Sequence, residues 1–164
     1  MPPSVEQLVA DLAGLLGARG EMLATAESCT GGWVAKACTD LAGSSVWFER
    51  GFVTYSNQSK RDMLGVAAAT LAEAGAISEP TVREMAAGAL ANSAAQWSLA
   101  VSGVAGPGGG SPDKPVGTVW LAWAGPGGWC ASECRRFDGD RDAVRRQAVQ
   151  RALEVLVQRC REGG

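Results

Sequence analysis

Two short polar segments carry the side chains that could do chemistry together. Residues 27–32 (ESCTGG) lie between a predicted strand and a predicted helix, and residues 55–60 (YSNQSK) follow the next predicted strand. Ser28 is a candidate nucleophile at a strand's carboxyl end, where ligands gather in open α/β sheets. A lysine such as Lys60 can deprotonate a serine when burial lowers its pKa towards neutrality. Serine–lysine pairs are an established variant of the catalytic triad.

The absence of histidine narrows the choice of base. The chain has no histidine at all, so a Ser-His-Asp triad, a Cys-His dyad and every histidine-containing zinc site are excluded. The base must be a carboxylate, a lysine, a tyrosinate or an amine. We expect no metal and no cofactor. The five cysteines form no CxxC pair, which favours reduced thiols over a disulfide scaffold.

Each of these residues also has a simpler interpretation. Cys29 is intrinsically the better nucleophile, but its usual histidine partner is missing and it is more often a buried apolar filler. Adjacent residues at a strand end face opposite ways, so only one of Ser28 and Cys29 faces a cleft. Ser28 or Thr30 could instead cap the next helix. Lys60 could be a solvated helix lysine. Tyr55 could hold the lysine neutral or relay its proton.

Backbone groups and a glycine-rich loop supply candidates for binding a substrate. The N–H groups of Thr30, Gly31 and Gly32 could stabilise an oxyanion at a helix start. Asn57 is a further candidate from the second segment. The loop 102–114 (SGVAGPGGGSPDK) suits a backbone cradle for a phosphate, although it could be a flexible connector. Its candidate binding residues are Ser102, Gly103 and Gly106.

The acidic segment 138–142 (DGDRD) does not predict a calcium site. An EF-hand would need glycine where Ala143 stands and glutamate where Val149 stands. Acidic residues at a helix start complement its dipole, which explains the segment sufficiently. The arginines that follow could contact a phosphate or face solvent, and we favour solvent for all three: Arg141, Arg145 and Arg146.

The elements that position these residues alternate between strands and helices in the first two-thirds of the chain. Ser4, Ser56-Asn57, Ser78 and Asp140 are the candidate helix caps, and the residues between 64 and 78 are interpreted as loop. The order predicts one α/β domain over residues 1–164, built around a mixed sheet. The predicted helices are 5–18, 33–41, 58–64, 78–93 and 140–159; the predicted strands are 22–26, 47–55, 98–104, 117–124 and 129–137.

Composition limits which kinds of partner and which cellular location we expect for the chain. A net charge of −2 without a lysine or arginine block argues against nucleic acid as a partner. No apolar run approaches the roughly 20 residues of a membrane helix. Glu6 and Asp11 stand where a signal peptide would be basic and then apolar. We therefore expect no membrane partner and a cytoplasmic location.

Five blocks in the right order resemble the CinA C-terminal domain family, most closely its stand-alone nicotinamide mononucleotide deamidases. The resemblance implies a three-layer α/β/α fold. It also implies hydrolysis of the carboxamide of nicotinamide mononucleotide to nicotinate mononucleotide and ammonia, in pyridine nucleotide recycling. The blocks are AESCTGG (26–32), SSVWFERGFVTYSNQSK (44–60), SGVAGPGGG (102–110), KPVGTVW (114–120) and GDRDAVRRQA (139–148).

The resemblance also implies roles for individual residues. Ser28 matches the family's nucleophile and Lys60 its base, with Tyr55 alongside. The implied partner is a small nucleotide substrate, and a homodimer or larger homo-oligomer is possible. Two other interpretations stay open at this point: a serine amidase acting on another small amide, and a non-catalytic nucleotide-binding or competence-related module.

Overall fold

A five-stranded mixed sheet organises the molecule. The computed structural model describes residues 2–163. Strand β1 pairs in parallel with β2 and β3, whereas β3–β4 and β4–β5 are antiparallel, so the order across the sheet is β2-β1-β3-β4-β5. The predicted mixed sheet is confirmed. The strands are β1 (Leu23–Glu27), β2 (Phe48–Val53), β3 (Trp97–Gly103), β4 (Thr118–Ala124) and β5 (Cys130–Arg136).

Within residues 2–163, six α-helices surround the sheet, and four of them begin at a predicted cap. The side chains of Ser4, Ser56, Ser78 and Asp140 each accept a hydrogen bond from the backbone N–H three residues further on. Such bonds satisfy donors that a helix start otherwise leaves unpaired. The helices are α1 (Val5–Arg19), α2 (Trp33–Thr39), α3 (Asn57–Leu64), α4 (Ala68–Ala74), α5 (Glu79–Ala91) and α6 (Arg141–Glu162).

The helices cover both faces of the sheet, which gives three layers. Helices α1, α2 and α6 bury one apolar cluster against the face that carries Leu99 and Leu121. Helices α3 and α5 bury a second cluster against the face that carries Ala100 and Ala122. Successive strand residues point to opposite faces, so both sides of the sheet contribute apolar side chains. The predicted α/β/α layering is confirmed.

Helix α4 lies in the segment that the sequence interpretation left as loop, and that prediction was wrong. Its first turn has no side-chain cap of its own, because Ala67 stands at the cap position. Glu84 of α5 instead anchors the start of α4 by accepting bonds from the Ala67 N–H at 2.9 Å and the Thr70 hydroxyl at 2.6 Å. An anchor supplied from another helix leaves no local start signal.

No helix within residues 2–163 is both long enough and apolar enough to cross a membrane.

Candidate active site

The carboxyl ends of the three parallel strands meet at the candidate site. The N–H of Ser28 donates to the carbonyl of Val101 at 2.9 Å, and the N–H of Thr54 donates to the carbonyl of Glu27 at 2.8 Å. These bonds extend the pairing of β1 with β3 and β2 by one residue on each side. The residue after β1 is thereby held between its two neighbours, at the edge where ligands bind in parallel sheets.

Ser28 and Lys60 are in direct contact. The distance from the Lys60 Nζ to the Ser28 Oγ is 3.0 Å. Lys60 lies in the first turn of α3, whose start is fixed by the cap at Ser56. Its Nζ also donates to the carbonyl oxygens of Thr54 at 2.9 Å and Tyr55 at 3.3 Å. The two polar segments therefore meet through their serine and their lysine.

Lys60 is buried without a counter-ion. Its residue is only 1% exposed, and no carboxylate of residues 2–163 lies within salt-bridge distance of its Nζ. Burial lowers its pKa from 10.5, and the nearby Cys29 acts in the opposite direction. A neutral amine has two N–H donors and one lone pair. The Thr54 and Tyr55 carbonyls can take both donors, which leaves the lone pair for Ser28.

Cys29 is buried like its neighbour, but it belongs to the apolar cluster under α1, α2 and α6. Burial raises the pKa of its thiol to about 12. A thiol with that pKa is almost entirely protonated near neutral pH, and the protonated form is a poor nucleophile. The structure therefore favours the serine over the cysteine as the reactive group.

A cavity of about 240 Å³ opens onto the Ser28–Lys60 pair. It brings together several residues that the sequence analysis considered in separate segments, including Arg141, and it adds two from outside them: Ala76 and Ile77. Its lining consists of Ser28, Cys29, Tyr55, Asn57, Lys60, Ala76, Ile77, Ser102, Gly103, Ala105 and Arg141.

The backbone of Tyr55 contacts the Ser28–Lys60 pair, whereas its ring faces solvent. Its carbonyl lies 3.4 Å from the Ser28 Oγ and 3.3 Å from the Lys60 Nζ. Its side chain is 62% exposed, and its phenolic oxygen accepts a bond of 3.4 Å from Arg141. The hydroxyl thus lies at the mouth of the cavity, and a catalytic role for this side chain stays a prediction.

The expectation that the arginines after residue 140 only face solvent is wrong for two of them. Arg141 donates to the carbonyl of Gly106 at 2.8 Å and reaches the cavity, which links the glycine-rich loop to the site. Arg145 donates to the backbone carbonyls of residues 29 and 30. Arg146 is exposed, and among the described residues it pairs only with Asp142.

Glu27 is a structural residue that the sequence analysis did not single out. Its buried carboxylate accepts bonds from the Thr30 hydroxyl at 2.6 Å, the Val34 N–H at 2.8 Å and the Ala35 N–H at 3.0 Å. It therefore caps α2, whose cap position is Gly32 and has no side chain. The expectation that Ser28 or Thr30 could be this cap is not borne out. An acidic residue before a glycine-containing turn was the available signal.

Thr30, Gly31 and Gly32 line a second cleft. Its volume is about 420 Å³, and Trp33, Lys36 and Arg145 complete its lining. The backbone has φ of +59° at Gly31 and +103° at Gly32, which side-chain-bearing residues rarely adopt. The Thr30 hydroxyl is buried and committed to Glu27, so this cleft holds no free nucleophile beside a base. Within residues 2–163 no group of three or more metal-ligating side chains clusters.

The fold and the site define a class of protein: a three-layer α/β domain with a buried serine–lysine pair at the carboxyl ends of its parallel strands. The chain belongs to the CinA C-terminal domain family, whose sequence model matches residues 5–160. The predicted family resemblance is thereby confirmed.

Individual relatives agree with this assignment. The chain is 58% identical over 152 residues to the nicotinamide-nucleotide amidohydrolase PncC of Escherichia coli strain K12, covering 93% of this chain and 92% of that protein. It is 59% identical over 134 residues to the protein of the same name from Pseudomonas putida, covering 82% and 83%. The crystal structure of the competence/damage inducible protein CihA from Agrobacterium tumefaciens matches with a TM-score of 0.92 and 46% identity, covering 96% of each chain.

Proposed function

We propose that this chain hydrolyses the carboxamide of nicotinamide mononucleotide, with Ser28 as the nucleophile and Lys60 as its base. The observation that carries the proposal is the 3.0 Å contact between the Ser28 Oγ and a buried lysine nitrogen inside a cavity. Relatives at 58% and 59% identity are named nicotinamide-nucleotide amidohydrolases, which confirms the predicted class of enzyme, an amidohydrolase. We further propose that the reaction serves pyridine nucleotide recycling in the cytoplasm.

In the acylation step, neutral Lys60 takes the Ser28 proton while the Oγ attacks the carboxamide carbon. A separation of 3.0 Å is within the reach needed for such a transfer. The tetrahedral intermediate then collapses, the C–N bond breaks, and protonated Lys60 returns its proton to the leaving nitrogen. Ammonia departs and a nicotinoyl ester remains on Ser28.

Water completes the reaction. Lys60 is neutral again after ammonia leaves, so it can deprotonate a water molecule that attacks the ester carbonyl. The ester bond breaks, Ser28 regains a proton from Lys60, and nicotinate mononucleotide is released. The same base thus serves both halves of the reaction, as histidine does in a triad.

Arg141 is the residue that we propose for the substrate phosphate. Its guanidinium donates to two neutral acceptors, the Gly106 carbonyl and the Tyr55 hydroxyl. No carboxylate of residues 2–163 pairs with it. Its charge at the mouth is therefore available for a phosphate, while the carboxamide end enters the cavity. Asn57 and Ser102 are both in the lining, and we propose that they contact the ring or ribose.

Ammonia release from nicotinamide mononucleotide tests this proposal, with nicotinamide as the comparison because it lacks the ribose phosphate. We expect turnover of the nucleotide, and a kcat/KM for nicotinamide lower by at least about 100-fold, since phosphate contacts contribute binding energy. Arg141→Met should raise KM for the nucleotide and leave turnover of nicotinamide unchanged.

Other outcomes would decide against the proposal in distinct ways. Equal turnover of nicotinamide and the nucleotide would show that the phosphate is not recognised. Hydrolysis of another small amide alone would indicate a different amidase. Binding of the nucleotide without any ammonia release would indicate a non-catalytic module.

A further inference from the structure

The buried hydroxyl of Ser102 has no hydrogen-bond partner among the described residues. Ser102 is only 1% exposed, and it lines the cavity of about 240 Å³. By contrast, the Oγ of Ser98 on the same strand donates to the Ala86 carbonyl at 2.7 Å. A buried polar group without a partner costs stability. An unpaired hydroxyl at the wall of a cavity is therefore a candidate for contact with a ligand.

The sheet places this hydroxyl next to the proposed nucleophile. Strands β1 and β3 pair in parallel, with Glu27 opposite Val101. The bond from the Ser28 N–H to the Val101 carbonyl, of 2.9 Å, carries this pairing one residue further. Ser28 and Ser102 are therefore neighbours across the two strands.

The two serine side chains also point to the same face of the sheet. Successive strand residues alternate between the faces, so Ser28 shares the face of Ala26, and Ser102 shares the face of Ala100. Both alanines belong to the apolar cluster under α3 and α5, and α3 carries Lys60. The two hydroxyls and the amine therefore open into one cavity, which all three residues line.

Lys60 and Ser102 lie on opposite sides of Ser28. The Lys60 Nζ donates to the carbonyls of Thr54 and Tyr55, which follow β2. Ser102 lies on β3, and β1 separates β2 from β3 in the sheet. In the proposed reaction the leaving nitrogen takes its proton from Lys60, so this nitrogen must lie on the β2 side of the attacked carbon. The carboxamide oxygen then lies on the β3 side, towards Ser102.

We propose that Ser102 is a catalytic residue whose hydroxyl donates a hydrogen bond to the carboxamide oxygen as this oxygen becomes charged; the proposal rests on the nucleophilic role proposed for Ser28. A serine hydroxyl has one O–H donor. A donor that is fixed where negative charge develops stabilises the transition state more than the ground state. Ser102 then contacts the carboxamide that the pyridine ring carries, rather than the ribose.

Ser102→Ala removes this donor with the smallest change to the cavity. We expect kcat for nicotinamide mononucleotide to fall by about 10²- to 10³-fold with KM changed by less than about threefold, because the lost bond forms fully only in the transition state. Ser98→Ala is the matched control, since it makes the same change on the same strand and face but outside the cavity lining. It should keep the kcat of the wild type.

The thermal stabilities of the two variants should differ in the opposite sense. Ser98→Ala removes a hydrogen bond to the Ala86 carbonyl, so its Tm should fall. Ser102→Ala removes a buried hydroxyl without a partner, so its Tm should be at least that of the wild type. A lower Tm for Ser102→Ala than for Ser98→Ala would assign a structural role to the Ser102 hydroxyl and overturn the proposal.

A second reaction separates the role of Ser102 from the choice of substrate. A small alkyl fluorophosphonate reacts when the Ser28 Oγ attacks phosphorus: the O–P bond forms, the P–F bond breaks, fluoride leaves and Lys60 takes the proton. Its phosphoryl oxygen gains charge during the attack and needs the same donor. The labelling rate at Ser28, measured by mass spectrometry on protein with an unchanged circular dichroism spectrum, should fall in Ser102→Ala by a factor similar to kcat and stay unchanged in Ser98→Ala.

Each result of these assays decides something. If Ser102→Ala raises KM and keeps kcat, or if it is labelled as fast as the wild type, the catalytic role of the hydroxyl is overturned. If the wild type is labelled at Ser28 but releases no ammonia from the nucleotide, the substrate assignment fails and the labelling rates alone decide the role of Ser102. If the wild type is neither labelled nor active, Ser28 is not the nucleophile and the proposal fails with it.

Discussion

Ser28 and Cys29 are neighbours in the chain and both line the cavity, yet their reactive atoms have different surroundings. The Ser28 hydroxyl contacts a lysine nitrogen, whereas burial raises the pKa of the Cys29 thiol to about 12. We expect Ser28→Ala to lower kcat by at least about 10³-fold and Cys29→Ala to change it by less than about threefold. Ammonia release on folded protein measures both. A Cys29→Ala variant that is inactive although folded would restore the thiol as a candidate nucleophile.

The buried lysine predicts how the rate depends on pH. Only neutral Lys60 can act as a base, and burial lowers its pKa from the ordinary 10.5. As pH rises through that lowered pKa, the neutral fraction increases, so kcat/KM should rise with pH and level off below pH 10.5. A profile measured from pH 6 to 10 checks this expectation. A rate that falls over this range, or that is constant from pH 6, would contradict the proposed base.

The same pKa also predicts a term in the stability of the fold. A lysine whose pKa is lower in the folded state binds more protons when unfolded, so the free energy of unfolding rises with pH until both states are neutral. The unfolding free energy of the wild type minus that of Lys60→Met should therefore become more positive between pH 7 and pH 10. Denaturant titrations at several pH values measure it. Lys36→Met, at an exposed lysine, should show no such increase.

At the scale of elements, α2 depends on a carboxylate from the preceding strand. Glu27→Gln keeps the size of the side chain but places an amide N–H₂ where one oxygen accepts from a backbone N–H. Leaving buried donors unpaired costs about 1–3 kcal/mol of unfolding free energy. Glu73→Gln, at an exposed position of α4, should change stability by less than about 0.5 kcal/mol. Equal stabilities for the two variants would show that the carboxylate is dispensable.

Helix α5 approaches α3 so closely that a side chain is excluded at Gly88. A Cβ at that position would lie 2.0 Å from the Leu64 carbonyl oxygen, whereas a Cβ at Gly14 of α1 meets nothing within 4 Å. Gly88→Ala should destabilise the fold by about 1–3 kcal/mol through overpacking. Because α3 carries Lys60, we also expect lower activity. Gly14→Ala should stabilise by about 1 kcal/mol through helix propensity. A stable, fully active Gly88→Ala would contradict this packing argument.

Features that depend on local chemistry could be predicted from the sequence. The caps at Ser4, Ser56, Ser78 and Asp140 act within three residues, and the strands follow from apolar and β-branched runs. Helix α4 could not be predicted, because it has no side-chain cap and its start is held by Glu84 on another helix. Its boundaries depend on tertiary contacts that no local pattern encodes.

The candidate site shows the same contrast between local features, which could be predicted, and tertiary contacts, which could not. Ser28 and Lys60 could be placed together because both follow parallel strands, whose carboxyl ends meet at one edge. Arg141 and Arg145 could not be placed, since their acceptors are carbonyl oxygens at Gly106, Cys29 and Thr30. Every residue has a backbone carbonyl, so the sequence does not show which carbonyls accept the bonds of these arginines.

At the scale of the whole molecule, residues from most of the chain converge on one edge of the sheet. The proposed nucleophile follows β1, the proposed base lies on α3, the glycine-rich loop follows β3, and Arg141 lies on α6. This convergence supports the proposal that residues 1–164 act as one domain. A homodimer or larger assembly stays a prediction.

The position of β1 between β2 and β3 has a consequence for synthesis on the ribosome. β1 emerges early, but its partner β3 is translated much later, and the pairing of Leu23 with Trp97 joins distant parts of the chain. Arg141 and Arg145 emerge later still. A nascent chain whose last helix is still inside the exit tunnel therefore lacks residues that we place at the site. Any amide hydrolysis should therefore begin only after α6 has left the tunnel.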